Sequence, residues 1–154
     1  MHIVLYQPEI PDNAGNIGRT CVALGAKLWL VRPLGFRLDD RHLRRAGLDY
    51  WQHLQWEAVE DWPALCRRLP DRPFWFFTKT ARVCYAEARF AADDVLVFGS
   101  ESQGLPRSLL SGNPDRCLRI PMDEKARSLN LAVSVAVAAY EARRQCGWDG
   151  DRIE

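Results

Sequence analysis

Short apolar runs, each closed by proline, glycine or polar residues and most followed by a stretch of helical character, limit what this chain can fold into more than any other feature. His2-Ile-Val-Leu-Tyr6 is β-branched and aromatic and stops at Pro8 and Pro11, which predicts a strand. Lys27-Leu-Trp-Leu-Val-Arg32 is a second, closed by Pro33. Phe74-Trp-Phe-Phe-Thr78 and Val95-Leu-Val-Phe98 are unbroken apolar runs, the pattern of strands covered on both faces of a parallel sheet. Arg116 to Ile120 is a weaker strand ended by Pro121. Residues 14–25 read as a helix with Asp12 or Asn13 as N-cap and Gly25 as the stop. Residues 37–47 read as a short surface helix ending at Gly47, and Glu60 to Leu69 as a helix bounded by Pro70. Strands alternating with helices predict an α/β domain with a mainly parallel sheet and helices on both faces.

The last helix is the most legible. Ser128 is its expected N-cap, Arg143 and Arg144 fall in its final turn, and Gly147 takes the position after it. Leu131, Val133, Val135, Val137, Ala138, Ala139 and Tyr140 make it apolar around most of its circumference, so it must be buried on more than one side. In a chain of 154 residues one side can face its own sheet and the other a second subunit, which predicts a homodimer. At about 150 residues per domain the chain is a single domain over 1–154, with the last few residues a loose tail. With 47% hydrophobic and 27% charged residues, disorder and coiled coil are excluded.

Five cysteines, an odd number with no C-x-x-C pair, argue against a disulfide framework and a zinc site and for idle thiols in a reducing compartment. The start has no basic leader, and the apolar stretch Leu131 to Tyr140 is about half a membrane span, so a cytoplasmic protein with no metal is expected.

In open α/β sheets ligands collect at the carboxyl ends of the strands. Three polar loops lie there. After the first strand, Asn13 and Asn16 offer amides, Gly15 and Gly18 allow close backbone approach, and Arg19 brings a permanent cation. After the 95–98 strand comes Gly99-Ser-Glu-Ser-Gln-Gly104-Leu-Pro106, whose only charge is Glu101; its spacing does not fit the G-x-S-x-G of a serine hydrolase. After the 116–120 strand, Met122 to Asn130 feeds the last helix. Taken alone, the first and third read by default as ordinary helix-start chemistry. Together the three predict one composite site.

These residues resemble the SPOUT-superfamily RNA 2′-O-ribose methyltransferases, and within them the small enzymes that modify wobble nucleotide 34 of tRNA. The resemblance rests on N-x-G-x-x-x-R at Asn13 to Arg19, F-G-x-E-x-x-G-L-P at Phe98 to Pro106, and I-P-M with S-L-N-L at Ile120 to Met122 and Ser128 to Leu131. Pro8-Glu-Ile-Pro11 and Leu43 to Tyr50 carry the narrower likeness. It implies a deep C-terminal trefoil knot, an obligate dimer, S-adenosylmethionine as cofactor and the anticodon stem-loop of tRNA as partner. It further implies Arg19, Asn13, Glu101, Ser128 and Asn130 as catalytic residues, and Phe76, Thr78, Gly99, Gly104, Ile120, Met122, Ser128 and Leu129 around the cofactor. Ala132 replaces a serine usual in the third motif, Val133 follows where a polar residue is common, and Ser100 replaces a frequent proline. Methylation of another RNA, or a non-catalytic knotted RNA-binding dimer, remain as alternatives.

The formal net charge is only +1, yet Arg32, Arg37, Arg41, Arg44 and Arg45 cluster, and Arg127 sits beside the third motif. Arg41, Arg44, Arg45, Arg127 and Tyr140 are therefore the expected RNA-binding residues, a local basic surface that a dimer would double.

Overall fold

The computed structural model describes residues 1–38 and 50–148. Its elements are β1 (His2–Tyr6), α1 (Pro11–Leu24), β2 (Lys27–Val31), β3 (Trp56–Val59), α2 (Trp62–Arg68), β4 (Phe74–Phe77), β5 (Val83–Cys84), β6 (Val95–Phe98), α3 (Arg107–Ser111), β7 (Cys117–Arg119) and α4 (Leu131–Cys146). The strands form one seven-stranded sheet in the order β3-β2-β1-β6-β4-β7-β5, and every pairing is parallel. The expected mainly parallel α/β sheet is therefore the observed one.

Strand alternation divides the core in two. Ile3, Leu5, Leu28, Leu30, Phe77 and Phe98 face α1 and α4, while Val4, Val31, Phe76, Val95 and Val97 face α2 and α3. Because both faces are covered, β6 is buried at every position. That is why its sequence is an unbroken apolar run rather than an alternating one.

Two strands escape the sequence reading. β3 is an edge strand interrupted by Glu57, whose carboxylate pairs with Lys27 at 3.1 Å and Arg68 at 3.2 Å, so its apolar signal is broken by a charge the fold neutralises. β5 is two residues long and carries no periodicity.

The helix starts also correct the expectation. α1 begins at Pro11, with Ile10 at the N-cap, so neither Asp12 nor Asn13 caps it; proline suits the first helical position, where no N–H partner exists. Gly25 ends it as expected, in the left-handed conformation at φ 64°. Asn130, not Ser128, caps α4, its side-chain oxygen accepting from the N–H groups of Ala132 at 2.8 Å and Val133 at 3.3 Å. The expected 37–47 helix falls almost wholly outside the described residues, as do Arg41, Arg44 and Arg45.

The cysteines are free; Cys21 is fully buried in the α1 face, and burial pushes its thiol up to about 12. No helix among the described residues is long and apolar enough to cross a membrane, and no group of three or more His, Cys, Asp or Glu among them could hold a metal ion.

The first strand carries a titratable group. His2 Nδ1 accepts the Trp29 indole N–H at 3.0 Å, which requires a neutral imidazole. Burial, then the adjacent N-terminal ammonium and Arg72, push its pKa from 6.5 down to about 4. The unfolded chain thus takes up a proton below pH 6.5 that the folded chain refuses until about pH 4, so the contribution is complete above 6.5 and lost as pH falls through that window. A Tm series from pH 7 to 4 should fall along this limb, and His2→Phe should flatten it; an unchanged slope in the variant would refute the assignment.

Candidate active site

The carboxyl ends of β4, β6 and β7 open onto a cavity of about 660 Å³ that also takes in the start of α1 and the start of α4. That volume is in the range of small-molecule sites. Its walls are the three loops singled out by sequence, brought together by the strand order rather than by chain proximity.

A chain of side-chain hydrogen bonds joins those loops. Glu101, after β6, accepts from the backbone N–H of Glu9 at 2.8 Å and of Ile10 at 3.2 Å, and from Asn13 Nδ2 at 3.0 Å. Asn13 is buried, and its remaining oxygen accepts from Asn130 Nδ2 at 2.9 Å. Asn130 then caps α4. Three residues expected to be catalytic thus form one continuous connection, from the β6 loop through α1 to α4. The carboxylate also lies at the amino end of α1, where the helix dipole favours negative charge and Ile10 offers no side-chain cap of its own. A reciprocal bond closes the contact: Glu9 accepts from the N–H of Ser102 at 2.9 Å and from its hydroxyl.

The β6 loop owes its shape to two glycines. It folds back on itself through a Ser100–Gly104 bridge, with Gly104 N–H donating to Ser100 O at 2.9 Å. A Cβ on Gly99 would lie 2.0 Å from the Gly104 carbonyl carbon, so no side chain fits there. Gly104 adopts φ +69° with open space at its Cβ position, which leaves its backbone bare toward the cavity.

Thr78, Gly99, Gly104, Ile120, Met122, Ser128 and Leu129, all expected around a cofactor, line the cavity, and so does Arg127. Phe76 does not: it is 1% exposed, on the α2 and α3 face, stacked on Phe74 with the Trp62 ring tilted against it. Strand alternation puts its neighbour Phe77 at the cavity, against Phe98 with ring centroids 4.6 Å apart. Alternation within Phe74 to Phe77 was the available signal, but an all-apolar strand does not say which parity faces which side. Lys79, Thr80 and Ser134 also line the wall and carried no sequence signal.

Arg19 is not part of this wall. It is exposed on α1, about 9 Å along the helix axis from Asn13, with its guanidinium 4.7 Å from the centre of the Tyr50 ring. Tyr140 lies in the distal half of α4 and packs on Trp148 at 5.8 Å, away from the cavity.

Residues 1–140 match the SpoU rRNA Methylase family. The chain belongs to that family. Among its relatives are the tRNA (cytidine(34)-2'-O)-methyltransferases of Methylovorus glucosotrophus, 45% identical over 96% of this chain and 97% of that one, and of Aeromonas hydrophila, 46% identical over 100% and 99%. A solved structure concerned with the 2-OH methylation of C/U34 on tRNA is 51% identical and matches with a TM-score of 0.90 over 94% of both chains. The AdoMet-bound rRNA methyltransferase of Sinorhizobium meliloti matches at 26% identity with a TM-score of 0.83, over 93% of this chain and 55% of that one. Two of the motifs that defined the resemblance in sequence are loops at the cavity of this SpoU methylase, and the first reaches it through Asn13 at the start of α1.

Gly99→Ala should lower stability by about 1–3 kcal/mol, the usual cost of forcing atoms into a filled space. Thermal denaturation measures the loss, and hydrogen exchange should show amides of the 99–105 loop losing protection. Wild-type behaviour in both would mean the loop does not close as described.

Proposed function

We propose that this SpoU methylase transfers the methyl group of S-adenosylmethionine to the ribose 2′-hydroxyl of nucleotide 34 in the anticodon loop of tRNA, acting as a cytoplasmic homodimer with a knotted C-terminal segment. The observation that carries the reading is the cavity at which all three motif loops meet, joined through Glu101, Asn13 and Asn130. The names and coverage of its relatives support the tRNA substrate.

The residues present fit the cofactor. Phe77, Ile120, Met122 and Leu129 give an apolar floor for an adenosine, and the bare backbone at Gly104 with the Ser128 hydroxyl gives polar contacts for its ribose and amino-acid tail. When bound, S-adenosylmethionine supplies an electrophilic methyl carried on a sulfonium. The 2′-oxygen forms the new bond to that methyl as the sulfur–carbon bond breaks, and the hydroxyl proton leaves to a neighbouring phosphate or to water.

Positioning and exclusion of water supply most of the rate in such a displacement. Glu101, Asn13 and Asn130 act as positioning residues, because their polar atoms are already engaged in holding the loops. Arg19 binds the RNA phosphate next to the reacting ribose and orients the hydroxyl; a guanidinium stays protonated and does not serve as base. Arg127, on the cavity wall, adds a second phosphate contact. The apolar outer face of α4, with Val133 48% and Tyr140 46% exposed and Val137 between them on the same side, is where the partner subunit packs.

Mass spectrometry of tRNA from cells lacking the gene should show nucleotide 34 without its 2′-O-methyl group; unchanged methylation there overturns the substrate, and loss at another RNA position redirects it. Arg19→Lys should cut turnover about a hundredfold, the penalty of a misplaced reactant, and near-wild-type turnover would count against a planar, bidentate phosphate contact. Light scattering should give a dimer for the wild type and a shift toward monomer for Val133→Glu; a monomeric wild type overturns the assembly.

A further inference from the structure

A second cavity, of about 550 Å³, lies at the carboxyl ends of β1 and β2 and shares a wall with the first, since Ser100, Gln103, Gly104, Leu105 and Arg107 line both. It stands where the sheet changes direction: β2 and β3 extend to one side of β1, and β6, β4, β7 and β5 to the other. Such a switch point is the usual ligand crevice of an open parallel sheet. The cofactor reading leaves it unused.

Gln7 marks the site independently. It holds φ +52°, a left-handed conformation uncommon for any residue but glycine and adopted here by a long amide side chain that lines the cavity. Its N–H donates to Val31 O at 2.9 Å, so the turn is locked to β2. Backbone strain of this kind persists where the surroundings enforce it and gathers at ligand sites.

The lining chemistry is that of a nucleobase pocket. Tyr6, Pro33 and Leu34 offer apolar surface for a flat ring, and the amides of Gln7 and Gln103 each carry donors and an acceptor for a base edge. Arg107, exposed and facing both cavities, is placed for a phosphate between two nucleotides.

We propose that this second cavity receives the base of a nucleotide adjacent to the one methylated, with Gln7 and Gln103 reading its edge and Arg107 holding the phosphate that links the two. The inference rests on the RNA methyltransferase reading of the first cavity and adds the subsite by which the enzyme would recognise the sequence around its target.

Gln7→Gly separates recognition from structure, because removing the side chain also removes the strain at φ +52°. The variant should keep or raise the wild-type Tm and bind S-adenosylmethionine with unchanged affinity by calorimetry, while its KM for an anticodon stem-loop rises about tenfold, the size of one or two lost hydrogen bonds. A stem-loop made abasic at the neighbouring nucleotide should raise KM for the wild type by a similar factor and cost Gln7→Gly nothing further. A wild-type KM in Gln7→Gly, or an abasic penalty equal in both proteins, overturns the subsite while leaving the methyltransferase intact. A wild type that binds no S-adenosylmethionine and methylates no stem-loop overturns both.

Discussion

The Glu101 carboxylate holds the start of α1 from 92 residues further along the chain. α1 opens on Pro11 with Ile10 at its N-cap, and Ile10 offers no side-chain cap to the positive end of the helix dipole. A carboxylate accepting from the backbone N–H groups of Glu9 and Ile10 and from the Asn13 side-chain amide sits against that end and complements its dipole. Hydrogen bonds to a charged group contribute about 1.5–3 kcal/mol each, and these three, with the two that Glu9 accepts from Ser102, tie the β1 end and the start of α1 to the β6 loop. Asn13 carries the connection onward to Asn130, and so fixes the start of α4. Without that sequence of contacts the three loops would be separate surface turns.

Much of this was legible in the residues. The polar loops stood out because each interrupts an apolar run at a strand end, and the two glycines of the β6 loop stood out by position. What could not be read was partnership. Asn130 and Ser128 are equally good caps by composition, and only the approach of Asn13 draws Asn130 into that place. Phe76 and Phe77 are chemically equivalent in a strand buried on both faces; the assignment of parity depends on which helices cover which side, a tertiary fact. β3 was hidden because Glu57 looks like a break in an apolar run until Lys27 and Arg68 are seen to neutralise it. Proline at residue 11 was read as an interruption, although at the first helical position its missing N–H costs nothing.

Net charge is a poor guide to an RNA partner here. A value of +1 averages acidic residues used internally with cations used outward. Among the described residues Glu101 is the one acidic residue on the cavity wall and is engaged by backbone N–H groups, Glu9 accepts from Ser102, and Glu57 is matched by two cations. Arg107, Arg127 and Lys79 face the cavity. The local field at the strand ends is therefore positive in a chain whose overall charge is close to zero, which favours a phosphate at this place without a general affinity for polyanions.

Rigidity of the 99–107 loop follows from where it is tied. The Gly99 backbone is pressed against Gly104, Ser102 is bound by Glu9, and Glu101 is bound by the start of α1, so the loop has three anchors within four residues of one another. A wall held this firmly can serve two cavities at once, because a ligand on one side does not deform the surface offered to the other. In a reaction governed by placing one oxygen in line with one methyl, a fixed wall between reactant and recognition site converts the position of a neighbouring base into the position of the reacting ribose. The same clamp that holds the start of α1 thereby fixes the wall between the two cavities, and each of its two acidic residues is engaged by backbone N–H groups of the segment it holds.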